Sequence, residues 1–210
     1  MSYALITLSR FETPKCLQHI CDHDHDVDFI PGNVPPNIKP YRHPYAQNSE
    51  TECMVTEVLE AGIIQPSESY FSAPVVLLHK KDGPWCMCLD YRELNKLTIK
   101  DKFPIPFIDE LLDELHGPIY FTKSNLRSGY HQIRMKIEGI PKITFRTHEG
   151  HYEFFVMPFG HNNAPSTFQG LMNSIFKCLR KFLLVFFDDI LIYSKSWKDH
   201  VENVDRVLLL

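Results

Sequence analysis

Two adjacent aspartates, Asp188 and Asp189, lie between two apolar segments and limit the folds available to this chain. The segments, Phe182–Phe187 and Ile190–Ser194, have the length and composition of short strands. A tight turn between them holds two carboxylates together, and their like charges repel unless a cation shares them. Enzymes that catalyse displacement at phosphorus commonly use two Mg²⁺ ions that lie about 3.5–4 Å apart and are bound by aspartates. Aspartates are also common in exposed turns, so the pair alone leaves both interpretations open.

The same aspartates interrupt the most apolar stretch of the chain, which makes that stretch a poor membrane span. No apolar run reaches the roughly 18 residues that a membrane helix needs, and the N-terminus lacks the pattern of a secretion signal. The six cysteines include no CxxC pair, which is typical of reduced thiols. The sequence therefore predicts a chain without a membrane partner that is cytoplasmic or nuclear and not secreted.

The charge of the chain is unevenly distributed. Its 26 acidic and 22 basic residues give a net charge of −4, without the basic excess that indicates a polyanion partner. Residues 1 to about 40 contain five acidic and three basic residues, or −2, and the Pro31–Pro40 cluster predicts a linker or extended arm. His23 and His25, with the aspartates beside them, could bind a transition metal, although such a run is also typical of a polar linker.

Apolar spacing and turn residues predict interleaved helices and hairpins. Two hairpins are predicted, one from Ala73–His79 and Trp85–Asp90, the other from Ile143–Thr147 and His151–Met157. Four helices are predicted, from a Ser49–Glu52 capping box to Gly62, from Ile108 to His116, from an Asn163 cap to Leu179, and from Trp197 to Leu210. The elements lack βαβ regularity, so the predicted fold class is α+β.

Seven sequence blocks occur in an order that resembles the reverse transcriptase of gypsy-type LTR retrotransposons. They are IKPYRHP (Ile38–Pro44), EAGIIQP (Glu60–Pro66), SAPVVLLHKKDGPWCMCLDYRELNK (Ser72–Lys96), DKFPIPFIDELLDELHG (Asp101–Gly117), SGYHQIRM (Ser128–Met135), TFRTHEGHYEFFVMPFGHNNAPSTFQ (Thr144–Gln169) and FLLVFFDDILIYSKS (Phe182–Ser196). The resemblance runs from about residue 26 to the end. It implies the fingers and palm of a right-hand polymerase, with an antiparallel palm sheet packed on helices.

The resemblance also implies domain boundaries. Residues 1–40 are expected to be a linker and residues 41–210 the reverse transcriptase domain. Within that domain, fingers are expected roughly at 44–97 and 132–162, and palm roughly at 98–131 and 163–210. A thumb is expected to be absent.

Roles of individual residues are implied by the same matches. Two Mg²⁺ ions are expected at Asp188, Asp189, the position of Asn125 and the backbone carbonyl of Leu126. Nucleotide contacts are expected from Lys80, Lys81, Cys86, Ser128, Gly129, Tyr130, Phe159, Gly160 and Phe187. In the family a fingertip lysine meets the γ-phosphate and the aromatic at Tyr130 lies under the sugar. The alternatives are core aromatics at Tyr130 and Phe159 and a solvated turn at the two lysines.

Two departures from the family pattern concern the chemistry. Where the family reads Phe-Ser-Lys-Leu-Asp-Leu, this chain has FTKSNL, so Asn125 replaces the third catalytic carboxylate. Cys86 replaces the arginine that clamps the α-phosphate, and it has no donor fork. Lesser departures are Ser124 and His161, each in place of leucine. Because hard divalent ions discriminate by ligand charge, we expect weakened Mg²⁺ binding and poor catalysis.

The first functional hypothesis is therefore a reverse transcriptase domain that ancestrally performed RNA-directed DNA polymerisation by two-metal nucleotidyl transfer. Its partners would be an RNA or DNA template-primer, deoxynucleotide triphosphates and the remainder of a Pol polyprotein. The alternatives are a non-catalytic nucleic-acid-binding or protein-interaction module, and a decayed transposon remnant.

Overall fold

A computed structural model describes residues 5–8, 24–79, 83, 85–104, 108–126 and 128–209. The chain divides into two units. The first unit contains strand β1 (Leu5–Leu8), Lys102–Gly129 and Pro165–Leu210, and the second contains the described part of Pro14–Asp101 together with Tyr130–Ala164. Within the described ranges, no helix is both long enough and apolar enough to cross a membrane.

A four-stranded sheet forms the core of the first unit. Its order is β1, β5 (Tyr120–Asn125), β9 (Asp189–Ser194) and β8 (Leu183–Phe186). Strand β9 is antiparallel to both β5 and β8, and β1 runs parallel to β5. Helices α3 (Ile108–Glu114), most of α4 (Ala164–Ile175) and α5 (Trp197–Leu208) belong to this unit, and α5 packs on β9 and β5.

A five-stranded sheet forms the core of the second unit. Its order is β2 (Ile64–Pro66), β7 (His151–Phe154), β6 (Thr144–Arg146), β3 (Ala73–His79) and β4 (Trp85–Leu89). Neighbouring strands are antiparallel except for β3 and β6, which are parallel. Helix α1 (Tyr45–Glu60) contacts β2 and β4, and α2 (Arg92–Leu97) follows β4.

Most predicted elements are confirmed. Both predicted hairpins form, and helices α3 and α4 begin where they were expected. Helix α4 ends at Ile175 and is followed by a short 3₁₀ turn at Lys177–Leu179, so the regular helix is shorter than predicted. Two further 3₁₀ turns occur at Gly129–Gln132 and Ile140–Lys142.

The predicted start of the first helix was wrong. The helix begins at Tyr45, because the carbonyl of Pro44 already accepts hydrogen bonds from the amides of Gln47 and Asn48. Ser49 lies inside the helix, where its hydroxyl donates to the Tyr45 carbonyl at 3.4 Å. A serine that bonds back along the helix cannot act as its N-terminal cap. The predicted end is confirmed, since Gly62 has a left-handed φ of 67°.

Residues 1 to about 40 were expected to be a linker or extended arm, and the described parts of this segment pair with both units. Strand β1 pairs with the edge of β5 and satisfies backbone groups there. In the second unit, His25, Phe29 and Asn37 form β-bridges with Met135, Thr98 and Ser72. Val27 is fully buried. The described part of this segment, residues 24–40, is therefore an extended arm that contacts the rest of the second unit at several points.

Helix α5 is amphipathic, as its apolar spacing predicts, and its inward face is centred on His200. Val204 and Val207 on that face are half-buried, whereas Val201 and Leu208 beside it are exposed. His200 can be buried because Thr122 and Ser194 lie within hydrogen-bond distance of its two ring nitrogens, at 2.8 and 3.2 Å. The helix begins at a Ser196 cap whose hydroxyl accepts from the Asp199 amide.

A buried histidine pair joins the N-terminal segment to the rest of the second unit. The Nε2 of His25 and the Nδ1 of His161 are 2.9 Å apart, and the two side chains are 0% and 2% exposed. Burial lowers the pKa of His25 to about 3, with a further contribution from His161, and burial lowers the pKa of His161 to about 4. Both imidazoles are therefore neutral in the folded protein at neutral pH.

This pair predicts an acid-sensitive fold. Between about pH 4 and 6.5 the unfolded chain binds protons at these histidines that the folded chain excludes. The free energy of unfolding should therefore fall as the pH is lowered, by up to about 1.4 kcal/mol per pH unit for each histidine. Urea unfolding at pH 7, 6 and 5 measures this slope.

The comparison uses two variants. His161→Leu should be less stable at pH 7 because His25 loses its partner, and its unfolding free energy should depend less on pH than that of the parent protein. His116→Gln, at an exposed position, should leave the slope unchanged. Equal slopes in His161→Leu and the parent would rule out the pair as the cause.

Candidate active site

A tight turn between β8 and β9 carries Asp188 and Asp189. It is entered through Phe187, whose φ of 52° is left-handed and rare for a bulky residue. Asp189 begins β9 and lies opposite Asn125 at the end of β5. The amide of Leu126 donates to the Asp188 carbonyl at 3.1 Å. The first unit therefore brings all four predicted metal-ligand positions to one end of its sheet.

Both carboxylate oxygens of Asp189 have partners. The Nδ2 of Asn125 donates to Oδ1 at 3.0 Å, and the Nζ of Lys123 lies 2.8 Å from Oδ2. Partial burial acts to raise the pKa of Asp189, but the hydrogen bonds from Lys123 and Asn125 and the lysine charge outweigh it and hold that pKa below its usual value. Asp189 is therefore ionised, and the protein's own lysine balances its charge.

Asp188 has the opposite environment. Its Oδ1 is buried and has no hydrogen-bond partner among the described residues. Burial, and then the charge of Asp189, raise the pKa of Asp188. A cation shared with Asp189 would relieve both the missing partner and the repulsion. Carboxylate oxygens are the ligands that Mg²⁺ prefers, so these residues fit the expected ion.

Asn125 and Leu126 are engaged within the protein. Asn125 occupies the expected third ligand position, and its amide nitrogen donates to Asp189. The carbonyl of Leu126 accepts from the Gly129 amide at 3.3 Å, which leaves its second lone pair for another partner. The third ligand position therefore adds no negative charge to the site and supplies a hydrogen-bond donor to Asp189.

The predicted phosphate-binding backbone follows β5 in the first unit. Ser128 has a left-handed φ of 53°. A Cβ on Gly129 would meet the Phe168 ring at 3.0 Å, so only glycine fits without a shift. The Gly129 amide donates a hydrogen bond to the Leu126 carbonyl. It would have to break that bond before it could donate to a phosphate oxygen.

The remaining predicted nucleotide contacts are in the second unit. Tyr130 is buried against Phe159, with ring centroids 4.6 Å apart, and Phe159 is 51% exposed. Gly160 has a φ of 92°, and its carbonyl accepts from Asn95 at 2.8 Å. Cys86 lies on β4 opposite Leu78 and is partly exposed. Lys80 and Lys81 lie outside the described residues.

Comparison with known proteins identifies the family. A family model described as "Reverse transcriptase (RNA-dependent DNA polymerase)" matches residues 78–209. The chain belongs to the reverse transcriptase family. The predicted resemblance is thereby confirmed, and reverse transcriptases as a family use divalent metal ions.

Relatives of this reverse transcriptase domain include retrotransposon polyproteins. The retrovirus-related Pol polyprotein from transposon 297 of Drosophila melanogaster is 39% identical over 197 residues, which cover 91% of this chain and 18% of that protein. The transposon Tf2-3 polyprotein of Schizosaccharomyces pombe is 34% identical over 197 residues, covering 93% of this chain and 15% of that protein. The chain thus spans less than a fifth of the length of these relatives.

Solved structures support the fold of the reverse transcriptase domain. The foamy viral protease-reverse transcriptase in complex with an RNA/DNA hybrid superimposes with a TM-score of 0.77 at 20% identity, over 87% of this chain and 25% of that chain. A mutant of the prototype foamy virus protease-reverse transcriptase also superimposes with a TM-score of 0.77. The two sequences are 24% identical, and the match covers 91% of this chain and 26% of that chain. The predicted α+β polymerase fold is confirmed.

Sequence reasoning missed one buried polar residue beside the turn. Gln169 is 0% exposed on α4, and its side chain bonds the backbone of Val185 and Phe187. The available signal was an amide next to Phe168 in a helix whose inward face is mostly apolar. Gln169 connects α4 of the reverse transcriptase domain to the aspartate turn.

Potential metal ligands also meet in the second unit. Donor atoms of Glu52, His148 and Glu149 lie within 4.8 Å of one another, and the Nε2 of His148 is 2.7 Å from Glu52. Sequence analysis had assigned Glu52 to a capping box. Of the N-terminal histidines considered as metal ligands, His23 lies outside the described residues and His25 bonds His161.

The arrangement at Asp189 predicts competition between Lys123 and a divalent ion. Lys123→Met should tighten Mn²⁺ binding by up to about fivefold, because a half-exposed ion pair is worth at most about 1 kcal/mol. Titration followed by electron paramagnetic resonance of free Mn²⁺ measures the affinity. Lys198→Met, exposed on α5, is the matched control and should have no effect. Weaker binding in Lys123→Met would contradict the competition.

Proposed function

We propose that this domain descends from an RNA-directed DNA polymerase and that it catalyses nucleotide addition slowly or not at all. The ancestral reaction is attack of a primer 3′-hydroxyl on the α-phosphate of a deoxynucleoside triphosphate, in which the hydroxyl loses its proton, the bond to the β-phosphate breaks and pyrophosphate leaves. The observation that carries the proposal is the engagement of both Asp189 oxygens by Lys123 and Asn125. The family relationship supports the reaction, and the altered third ligand supports its impairment.

The domain is assigned fingers at residues 44–97 and 132–162 and a palm at 98–131 and 163–210. The division of the chain into two units supports this assignment. The chain passes from one unit to the other between Asp101 and Lys102, between Gly129 and Tyr130, and between Ala164 and Pro165. Each of these points lies within four residues of a proposed boundary. We also propose that the N-terminal arm is confined to the first 40 residues and that the location is cytoplasmic or nuclear.

Asp188, Asp189 and the Leu126 carbonyl would hold two Mg²⁺ ions, with Asn125 as a weaker third side chain. When bound, divalent ions would lower the pKa of the primer hydroxyl and neutralise the charge that develops on the α-phosphate. Asp188 contributes a buried oxygen that has no other partner among the described residues. Asp189 contributes oxygens that already share their charge with Lys123 and Asn125, so a divalent ion competes with these partners for it.

The nucleotide and the template-primer are assigned to the remaining matched residues. Packing against Phe159 fixes the plane of Tyr130, which supports a role under the sugar. Ser128, Gly129, Phe159 and Gly160 would border the nucleotide, Phe187 the primer end, and Lys80 and Lys81 the γ-phosphate. The solved foamy viral relative is a complex with an RNA/DNA hybrid, which supports the same class of partner here.

The two replaced residues account for the expected loss of rate. Asn125 lacks the charge that lets a third ligand bridge two cations, and Cys86 lacks the planar donor fork of arginine. Removal of one preorganised electrostatic element typically costs about 10²–10³ in rate. Two such changes would reduce incorporation to a small fraction of the ancestral activity.

Primer extension tests this proposal. The parent protein and an Asn125→Asp/Cys86→Arg double variant are compared with an RNA template, a DNA primer and Mg²⁺ or Mn²⁺. The double variant should incorporate nucleotides at least about 10²-fold faster. Asp188→Asn/Asp189→Asn in the double variant is the negative control. Parent activity close to that of the double variant would contradict the proposal.

A second candidate is a non-catalytic module that binds nucleic acid or a protein partner. It is favoured by the charge balance at Asp189, which reduces repulsion of a nucleic acid backbone without a metal ion. Binding of a labelled RNA–DNA hybrid, followed by anisotropy at 50 and 200 mM salt, should then be steeply salt-dependent in the parent protein. Absence of binding at low salt would exclude nucleic acid as the partner.

A further inference from the structure

Gln169 is a buried amide with all of its strong hydrogen-bonding groups in use. Its Nε2 donates to the Val185 carbonyl at 3.1 Å and to the Asn173 side chain at 3.2 Å. Its Oε1 accepts from the Phe187 amide at 3.1 Å. A buried polar side chain is unfavourable unless it is satisfied in this way. The bonds therefore fix the orientation of the amide.

The two backbone groups that Gln169 binds lie on the open edge of the sheet. Strand β8 is the last strand in the order β1-β5-β9-β8, so no strand of the described residues pairs with its outer edge. The Val185 carbonyl and the Phe187 amide, two residues apart, point to the same side of a strand. Gln169 pairs with both and substitutes for a missing strand at the point where β8 enters the turn.

The turn needs this support because Phe187 is strained. Its φ of 52° lies in the left-handed region, which bulky side chains disfavour. Relaxation of Phe187 to a negative φ would rotate the peptide that leads to Asp188. Asp189 would stay, because it is held in the ladder opposite Asn125. The separation of the two carboxylates therefore depends on the conformation of Phe187.

We propose that Gln169 is a positioning residue for the aspartate pair: by binding the Phe187 amide and the Val185 carbonyl, it holds the left-handed turn and sets the divalent-ion affinity of Asp188 and Asp189. The inference rests on the proposed function of these aspartates as metal ligands. Gln169 contacts neither the metal nor the substrate in this role.

The test is Mn²⁺ binding followed by electron paramagnetic resonance. Gln169→Met keeps the size of the side chain and removes its hydrogen bonds, and should weaken binding about tenfold or more, as is typical for partners that orient metal ligands. Phe187→Gly in the Gln169→Met background should restore the affinity to within about threefold, since glycine adopts a positive φ without strain. Rescue by glycine would not follow from a general loss of stability.

A control variant separates positioning from stability. Thr122→Val removes a buried hydroxyl of the same unit, 2.8 Å from His200, and should lower the melting temperature without changing Mn²⁺ affinity. In the parent protein, the Phe187 amide should be protected from hydrogen exchange like the amides within β8. That measurement needs no variant, and rapid exchange at Phe187 would overturn the proposal.

The outcomes distinguish the two proposals. If the parent binds Mn²⁺ and Gln169→Met binds it equally well, the positioning role is wrong and the metal site stands. If Gln169→Met is weakened but the glycine variant does not recover, the effect does not act through the Phe187 conformation and the proposal is overturned. If neither the parent nor Asn125→Asp binds Mn²⁺, the proposed function fails and the positioning role fails with it.

Discussion

The repulsion between the carboxylates of Asp188 and Asp189 governs this end of the domain. Two carboxylates on adjacent residues of a tight turn cannot both be ionised and unpaired without a cost. Here the two groups are distinguished by their surroundings. Asp189 is kept ionised by Lys123 and Asn125, and Asp188 is partly buried with one oxygen unsatisfied among the described residues.

The charge of the site follows from this division. Asp188 and Asp189 contribute two negative charges, and Lys123 compensates one of them. A carboxylate at position 125 would add a third negative charge and could not donate to Asp189. Asparagine therefore changes the site twice, because it removes a charge that attracts cations and supplies a donor that occupies Asp189. Divalent ions respond strongly to both changes.

Sequence reasoning succeeded where structure depends on local pattern. The hairpins, α3 and the aspartate turn follow from apolar runs bounded by turn residues. The position of Lys123 next to Asn125 could also have been predicted from the sequence, because residues 123 and 125 of one strand point to the same face. The start of α1 was missed because a local capping pattern at Ser49 competes with the Pro44 carbonyl, and the latter forms the first bonds of the helix.

Contacts between distant parts of the chain could not be predicted in this way. The His25–His161 pair joins residues 136 positions apart, and Gln169 meets Phe187 only because α4 packs beside the edge of β8. Neither contact leaves a periodic signal. A buried polar residue in an apolar stripe indicates that a partner exists, but its identity depends on the tertiary structure.

The most direct test of this account is the affinity and number of Mn²⁺ ions bound by the parent protein and by Asn125→Asp. Aspartate at position 125 should tighten binding by about tenfold or more and increase the number of ions bound, because it restores a charge and releases an oxygen of Asp189. Equal affinity and equal stoichiometry in the two proteins would contradict it.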